Sequence, residues 1–76
     1  MEPKFFIGQN VVVIKSVAFI FENLTIRGGE VGQVVEYDFF SIDPFGEYTI
    51  DYIVKIGSRT LFFYSDELAP YPVIEG

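Results

Sequence analysis

The hydrophobic residues of the chain fall in short runs that glycine, proline and acidic residues separate. β-Branched and aromatic residues cluster in these runs, and no segment carries a sustained apolar stripe at helical spacing. The pattern predicts an all-β protein, with a first strand over residues 9–14 and a second over residues 31–38. The turn-rich segment RGGEVG precedes the second strand, and its Gly28, Gly29 and Gly32 can take backbone angles closed to other residues.

The clearest local signal is the segment YTIDYIVKIGSRTLFFY, residues 48–64. Alternate positions put five apolar side chains on one face of a strand: Tyr48, Ile50, Tyr52, Val54 and Ile56. Gly57 and Ser58 suit a two-residue type II′ turn into a further strand over residues 59–64. The segment therefore predicts a tight β-hairpin.

A last short strand is predicted over residues 71–74, beside two prolines that suit a sheet edge or the closure of a barrel. Two long irregular connections, residues 15–27 and 39–47, follow the first and second strands. Five short strands joined in this way predict one domain over residues 1–76. We expect a small five-stranded SH3-like barrel, with a single short helical turn before the last strand.

Composition narrows the chemistry that such a domain can perform. The 76-residue chain contains no cysteine and no histidine, which removes thiolate metal sites, thiol catalysis and the usual general base. We therefore expect a protein without catalytic activity and without a cofactor or a bound metal.

The net charge of the chain indicates which kinds of binding partner it favours. Eleven acidic residues against five basic ones give a net charge of −6, so the electrostatic term that dominates nucleic-acid affinity is repulsive. We expect no direct binding of nucleic acid; the acids favour a protein partner with a basic surface, or they only keep an apolar chain soluble. The run FFIGQNVVVIKSVAFIF is too often interrupted by polar residues for a membrane anchor, and we expect a cytoplasmic protein.

A resemblance to known proteins rests on four segments of the chain. GQNVVV, followed by a long loop and by GEVGQVVEYD, resembles the KOW-type opening of SH3-like barrels. YTIDYIVKI with LFFYSDELAPY is similar to the second half of small accessory barrel subunits. These include the stromal barrel subunit of photosystem I, the variable chain of ferredoxin:thioredoxin reductase and nitrogen-fixation accessory proteins. The resemblance implies a non-catalytic barrel that binds or stabilises a larger protein assembly.

The acidic corner SDEL gives two interpretations of Asp66 and Glu67. In the first, Phe63 and Leu68 point into the core and the corner forms one helical turn with Ser65 as its N-cap. In the second, the two acids form an acid/base pair, which requires that both face one substrate from different environments. A role of their charges in partner contact is compatible with the first interpretation.

Two other segments have some features of ligand-binding loops, but their sequences favour simple turns. SIDPFGE carries Asp43 and Glu47, which are too few carboxylates for a calcium loop, and a turn that displays Phe45 is expected instead. RGGEVG lacks the lysine and the following helix of a phosphate-binding loop.

Aromatic residues are in excess in the two long connections. The five concerned are Phe19, Phe21, Phe39, Phe40 and Phe45. If three or four stay outside the core, at roughly 150 to 250 Å² each, they approach the ~800 Å² per partner of a standard interface. The alternative is that residues 15–27 fold back as a lid over one end of the barrel. We expect Phe40 and Phe45 to face a partner.

The leading functional prediction is an accessory or adaptor protein that binds a larger assembly through these aromatic loops. A second class is an acidic inhibitor, of an immunity or phage-encoded type, that blocks a basic, nucleic-acid-handling target. A third is a homodimer formed through the same phenylalanines.

Overall fold

The computed structural model describes residues 3–41 and 48–72, and these form seven strands and one short helix. The elements are β1 (Asn10–Val13), β2 (Val17–Phe19), β3 (Leu24–Ile26), β4 (Val31–Ser41), β5 (Tyr48–Ile56), β6 (Arg59–Tyr64), a 3₁₀ helix (Ser65–Glu67) and β7 (Leu68–Pro70). The prediction of an all-β protein is confirmed.

Five of the strands build one antiparallel sheet in the order β6-β5-β4-β1-β7, and β2 pairs with β3 in a separate hairpin. Within the described residues no pairing joins β6 to β7, so the sheet is open and the closed five-stranded barrel of the prediction is not formed. The edge strand β7 is only three residues long, so it offers few backbone groups for pairing with a further strand.

The hairpin β5–β6 has the predicted bounds. Tyr52 lies opposite Phe63 and Val54 lies opposite Leu61, and all four side chains are buried. Gly57 adopts a φ of 62°, as the first position of a type II′ turn requires. The predicted core face of β5 is therefore confirmed at Tyr52 and Val54.

Strand β4 is longer than predicted and bears on two candidate residues. It continues from Val31 to Ser41, so Phe39 and Phe40 lie in a strand and not in a connection. The C-terminal end of β4 stays paired with β5, and Phe39 lies opposite Ile50. The rest of the predicted connection, including Phe45, lies outside the described residues.

The predicted connection over residues 15–27 contains the hairpin β2–β3. Val17 pairs with Ile26, and the chain reverses through Asn23, which has a φ of 51°. Asparagine visits this left-handed region more readily than most residues, because its side chain can hydrogen-bond locally. The segment is therefore ordered, not irregular as predicted.

The last strand comes earlier than predicted. β7 pairs with β1, with Leu68 opposite Val13, whereas Tyr71 and Pro72 lie beyond the strand. The buried side chain of Leu68 directs this segment onto the sheet, and residues 73–76 lie outside the described residues. The prediction of a strand over 71–74 is thus wrong in its first half.

The glycines of RGGEVG have different roles. Gly29 alone of the three has a positive φ, 101°, and so fits the predicted use of glycine in a turn. Gly32 lies in β4 where a Cβ would fall 2.6 Å from Cγ1 of Val54 and 2.7 Å from the backbone oxygen of Lys55. Gly32 is therefore required by close packing and not by its backbone angle.

The core lies on one face of the sheet, closed at one end by the segment before β1. Its buried residues are Phe5, Val11, Val13, Ile26, Val34, Ile50, Tyr52, Val54, Leu61, Phe63 and Leu68. The predicted inward orientation of Phe63 and Leu68 is confirmed. Phe5, which no prediction included, packs edge-on against Tyr52 with the ring centroids 5.1 Å apart.

Candidate protein-docking surface

The tip of the β2–β3 hairpin presents two large apolar side chains to solvent. Ile20 is 86% exposed and Phe21 is 101% exposed, as much as in an extended chain. Below the tip, Phe19 packs edge-on against Phe63 with a centroid separation of 5.3 Å. The hairpin thus fixes its base to the core and leaves its tip uncovered.

Contacts at the base hold the hairpin beside the 3₁₀ helix. The backbone N–H of Ile14 donates to the Glu67 carbonyl at 2.9 Å, and the Lys15 ammonium lies 3.4 Å from the Asp66 carboxylate. Both charged groups are exposed, so this ion pair contributes about 0 to 1 kcal/mol. The hydrogen bond and the apolar packing of Phe19 therefore supply most of the positioning.

The 3₁₀ helix separates the two acids that the sequence placed together. The Glu67 carboxylate accepts a 2.7 Å hydrogen bond from the Tyr64 backbone N–H, whereas Asp66 faces Lys15. The N-cap residue is Tyr64, and the prediction of Ser65 is wrong. The carboxylate of Glu67 satisfies the N–H of Tyr64, and the two acids do not face one common space.

A groove of about 270 Å³ lies between β2 and the β5–β6 ladder. Its walls include Phe19 from the hairpin, Phe62 and Tyr64 from β6, and the acids Asp51 and Glu67. Phe62 is 55% exposed, whereas its neighbour along the strand belongs to the core. The groove therefore combines accessible aromatic surface with negative charge.

Asp51 is the unusual residue of this groove. It lies opposite Asp38 on β4 and opposite Tyr64 on β6, and like charges placed directly across a sheet repel one another. Partial burial, and secondarily the charge of Asp38, raise the pKa of the Asp51 carboxyl above its ordinary 3.8. Its Oδ1 is enclosed and has no hydrogen-bond partner among the described residues.

A second hollow, of about 410 Å³, lies beside the segment before β1. Phe6, Ile7 and Tyr37 line it, and the Lys4 ammonium lies 5.6 Å from the centre of the Phe5 ring. Tyr37 also packs edge-on against the half-exposed Phe39, with the centroids 5.8 Å apart. The exposed aromatics thus lie on two separate surfaces.

The structure places the predicted contact residues in different surroundings. Phe19 is partly buried, Phe21 is fully exposed and Phe39 is half exposed. The backbone of Phe40 pairs with that of Thr49 in the sheet. Of the predicted contact residues that the structure describes, Phe19 and Glu67 line the groove.

Sequence reasoning missed Ile20, Asp51, Phe62 and Tyr64. Alternation along LFFY contained the signal for the last two, because an inward Phe63 directs its neighbours Phe62 and Tyr64 outward. Asp51 carried no such signal, since its surroundings depend on the register with β4 and β6.

In residues 3–41 and 48–72, no group of three or more carboxylates could hold a metal ion. No helix in the same ranges has the length and apolar character needed to cross a membrane. Comparison of the chain with protein families, curated proteins and solved structures found no match.

Proposed function

We propose that the chain is a non-catalytic accessory or adaptor protein that binds a larger protein assembly through the β2–β3 hairpin. The observation that carries the proposal is the exposure of Ile20 and Phe21 side by side at the hairpin tip. Burial of apolar surface stabilises by about 25 cal/mol per Å², and aromatic residues supply the largest areas at interfaces. A partner pocket that covers both side chains gains that free energy.

Three features of the strand arrangement support an SH3-like plan in which the sheet stays open. The sheet order β7-β1-β4-β5-β6, a hairpin inserted between β1 and β4, and a 3₁₀ helix before β7 all fit that plan. The resemblance of the sequence to accessory barrel subunits supports the same role. Under this proposal, Phe40 and Phe45 stay predicted partner contacts.

The net charge supports a partner with a basic surface. A charge of −6 repels acidic partners and nucleic acid and increases the rate of encounter with a basic surface. Under this proposal, Ile20 and Phe21 at the hairpin tip supply the affinity. The acidic residues Asp66 and Glu67 supply the orientation.

The test uses the double variant Ile20→Ser/Phe21→Ser as bait in affinity purification from the native host. Both side chains are exposed, so we expect the unfolding temperature to stay that of the wild type while the captured assembly is lost. The matched control is Phe6→Ser/Ile7→Ser, which removes two exposed apolar side chains from the second hollow and retains the assembly. Equal capture by wild type and the hairpin variant would overturn the proposal.

The negatively charged groove favours a second candidate, an acidic inhibitor of a basic, nucleic-acid-handling protein. Such an inhibitor depends on electrostatic steering, so its association rate falls steeply with salt, whereas a hydrophobic subunit contact is nearly insensitive. Stopped-flow association with the captured partner at low and high salt separates the two. Light scattering on the isolated chain tests self-association through the same tip.

A further inference from the structure

The groove between β2 and the β5–β6 ladder lies beside the proposed docking hairpin and has its own chemistry. We infer that it receives an arginine side chain of the protein partner, with Asp51 as the charged group and Phe62 and Tyr64 as the stacking surface. This inference rests on the proposed function and adds the chemistry of the partner.

The aromatic walls provide the first argument. Phe62 and Tyr64 are each about half exposed, and both lie on the face of β6 that points away from the core. Guanidinium groups are planar, weakly hydrated and stack on aromatic faces, which makes them suited to an accessible aromatic surface. An apolar side chain alone would leave the adjacent carboxylates without compensation.

The carboxylates provide the second argument. Asp51 carries an enclosed oxygen without a donor among the described residues, and Asp38 lies directly opposite it. The ion pair found within those residues joins Lys15 to Asp66 and leaves Asp51 without a counter-charge. A cation in the groove therefore removes an unfavourable interaction that the isolated protein retains.

The type of cation follows from the remaining contacts. Glu67 already accepts the Tyr64 backbone N–H, so the groove does not supply the series of free oxygen ligands that calcium requires. An ammonium group is a strongly hydrated point charge and uses an aromatic wall less well than a guanidinium does. Asp51 beside two rings therefore fits arginine best.

The binding test needs no partner. A ¹⁵N-labelled sample is titrated with N-acetyl-arginine amide, and the uncharged N-acetyl-citrulline amide of nearly the same shape serves as the control ligand. We expect weak, saturable shifts of backbone amides around Asp51, Phe62 and Tyr64 with the arginine probe, and none with citrulline. Equal shifts with both ligands, or shifts located elsewhere, would contradict the inference.

Matched variants then test whether Asp51 is the carboxylate that binds the arginine probe. Asp51→Asn is expected to weaken the arginine probe at least fivefold, while Asp66→Asn, with the same change of net charge outside the groove, changes it less than twofold. Phe62→Ala is the second variant, and its expected loss of at least threefold tests the stacking surface if Asp51→Asn alters the fold. Equal weakening by Asp51→Asn and Asp66→Asn would show only a general charge effect and overturn the assignment.

The two proposals fail separately. Loss of the assembly with Ile20→Ser/Phe21→Ser together with no binding of the arginine probe removes the groove assignment and leaves the docking function intact. Binding of the probe together with unchanged capture by the hairpin variant keeps the cation groove and removes the proposed hairpin function.

Discussion

The hydroxyl of Tyr52, buried in the middle of β5, accepts a 2.6 Å hydrogen bond from the backbone N–H of Lys4. The bond joins residues 48 positions apart and places the neighbouring Phe5 ring against the tyrosine ring. Phe5 therefore belongs to the core, although the described residues before β1, 3–9, contain no helix or strand.

Removal of this hydroxyl tests that connection. Tyr52→Phe leaves the ring packing in place and deprives the Lys4 N–H of its acceptor, so we expect a loss of about 1 kcal/mol of unfolding free energy. Urea denaturation measures the change. The control Tyr64→Phe removes a hydroxyl from a half-exposed ring and should alter stability by less than about 0.5 kcal/mol.

Gly32 and Gly28 form a matched pair for the role of glycine. A Cβ on Gly32 would meet Val54, Ile56 and a backbone oxygen within 2.8 Å, whereas the nearest atom to a Cβ on Gly28 lies at 3.5 Å. We expect Gly32→Ala to cost about 1 to 3 kcal/mol through overpacking and Gly28→Ala to be nearly neutral. Thermal unfolding of the two variants compares them directly, and equal melting temperatures would contradict the close approach of β4 and β5.

Truncation of the adjacent phenylalanines on β6 should destabilise the protein to very different extents. Phe63 is 1% exposed, so Phe63→Ala is expected to cost about 3 to 5 kcal/mol of stability. Phe62→Ala removes a side chain that faces outward and should cost about 1 kcal/mol or less. A shift of the strand by one residue would reverse this order, so chemical denaturation of both variants also checks the register.

Asp51 gives stability a defined dependence on pH. Its pKa is raised in the folded state by burial and by Asp38, so the folded protein holds this proton more tightly than the unfolded chain does. The penalty is absent below the ordinary pKa of 3.8 and develops as pH rises through the folded-state value. The other ionisable groups around it, Glu67 in the 3₁₀ helix and Tyr64 on β6, supply no positive charge.

The corresponding variant is Asp51→Asn. We expect it to be more stable than the wild type at pH 7 and to match it at pH 3, because protonation has by then removed the same charge. Asp66→Asn, which breaks an exposed ion pair, should show no gain at pH 7. Urea titrations at both pH values measure these differences, and a wild type more stable than Asp51→Asn at pH 7 would contradict the unfavourable placement of Asp51.

Phe45 stays a prediction from the sequence. If it contacts a partner, Phe45→Ala should cost at least about 2 kcal/mol of binding and leave the unfolding temperature unchanged. A core position would instead cost about 3 to 5 kcal/mol of stability. Calorimetric unfolding and titration with the captured partner distinguish the two, and a destabilised variant with full affinity would place Phe45 in the core.

Local patterns predicted the elements whose signal lies within a few residues. Alternation and Gly57 defined β5 and β6, because both strands bury one face and the turn requires a positive φ. The hairpin β2–β3 was missed because each strand is three residues long, too short for alternation to stand out. Only Asn23, a residue suited to its φ of 51°, marked the turn between them.

Features that depend on distant pairing could not be predicted in this way. The burial of Phe5 follows from its contact with Tyr52, which lies in a strand far along the chain. The surroundings of Asp51 follow from two registers at once, those of β4 and β6 on β5. Both facts depend on contacts between strands, which no short stretch of sequence contains.

The open sheet has a consequence for the behaviour of the protein in concentrated solution. Among the described residues β6 pairs only with β5, so the backbone groups on its other side form a template onto which a strand of another molecule can add. Mutual repulsion between molecules of charge −6 opposes such stacking near neutral pH. Near the isoelectric point of about 4.3 the net charge approaches zero and this protection disappears. We therefore expect fibrillar aggregation along β6 to be most pronounced there.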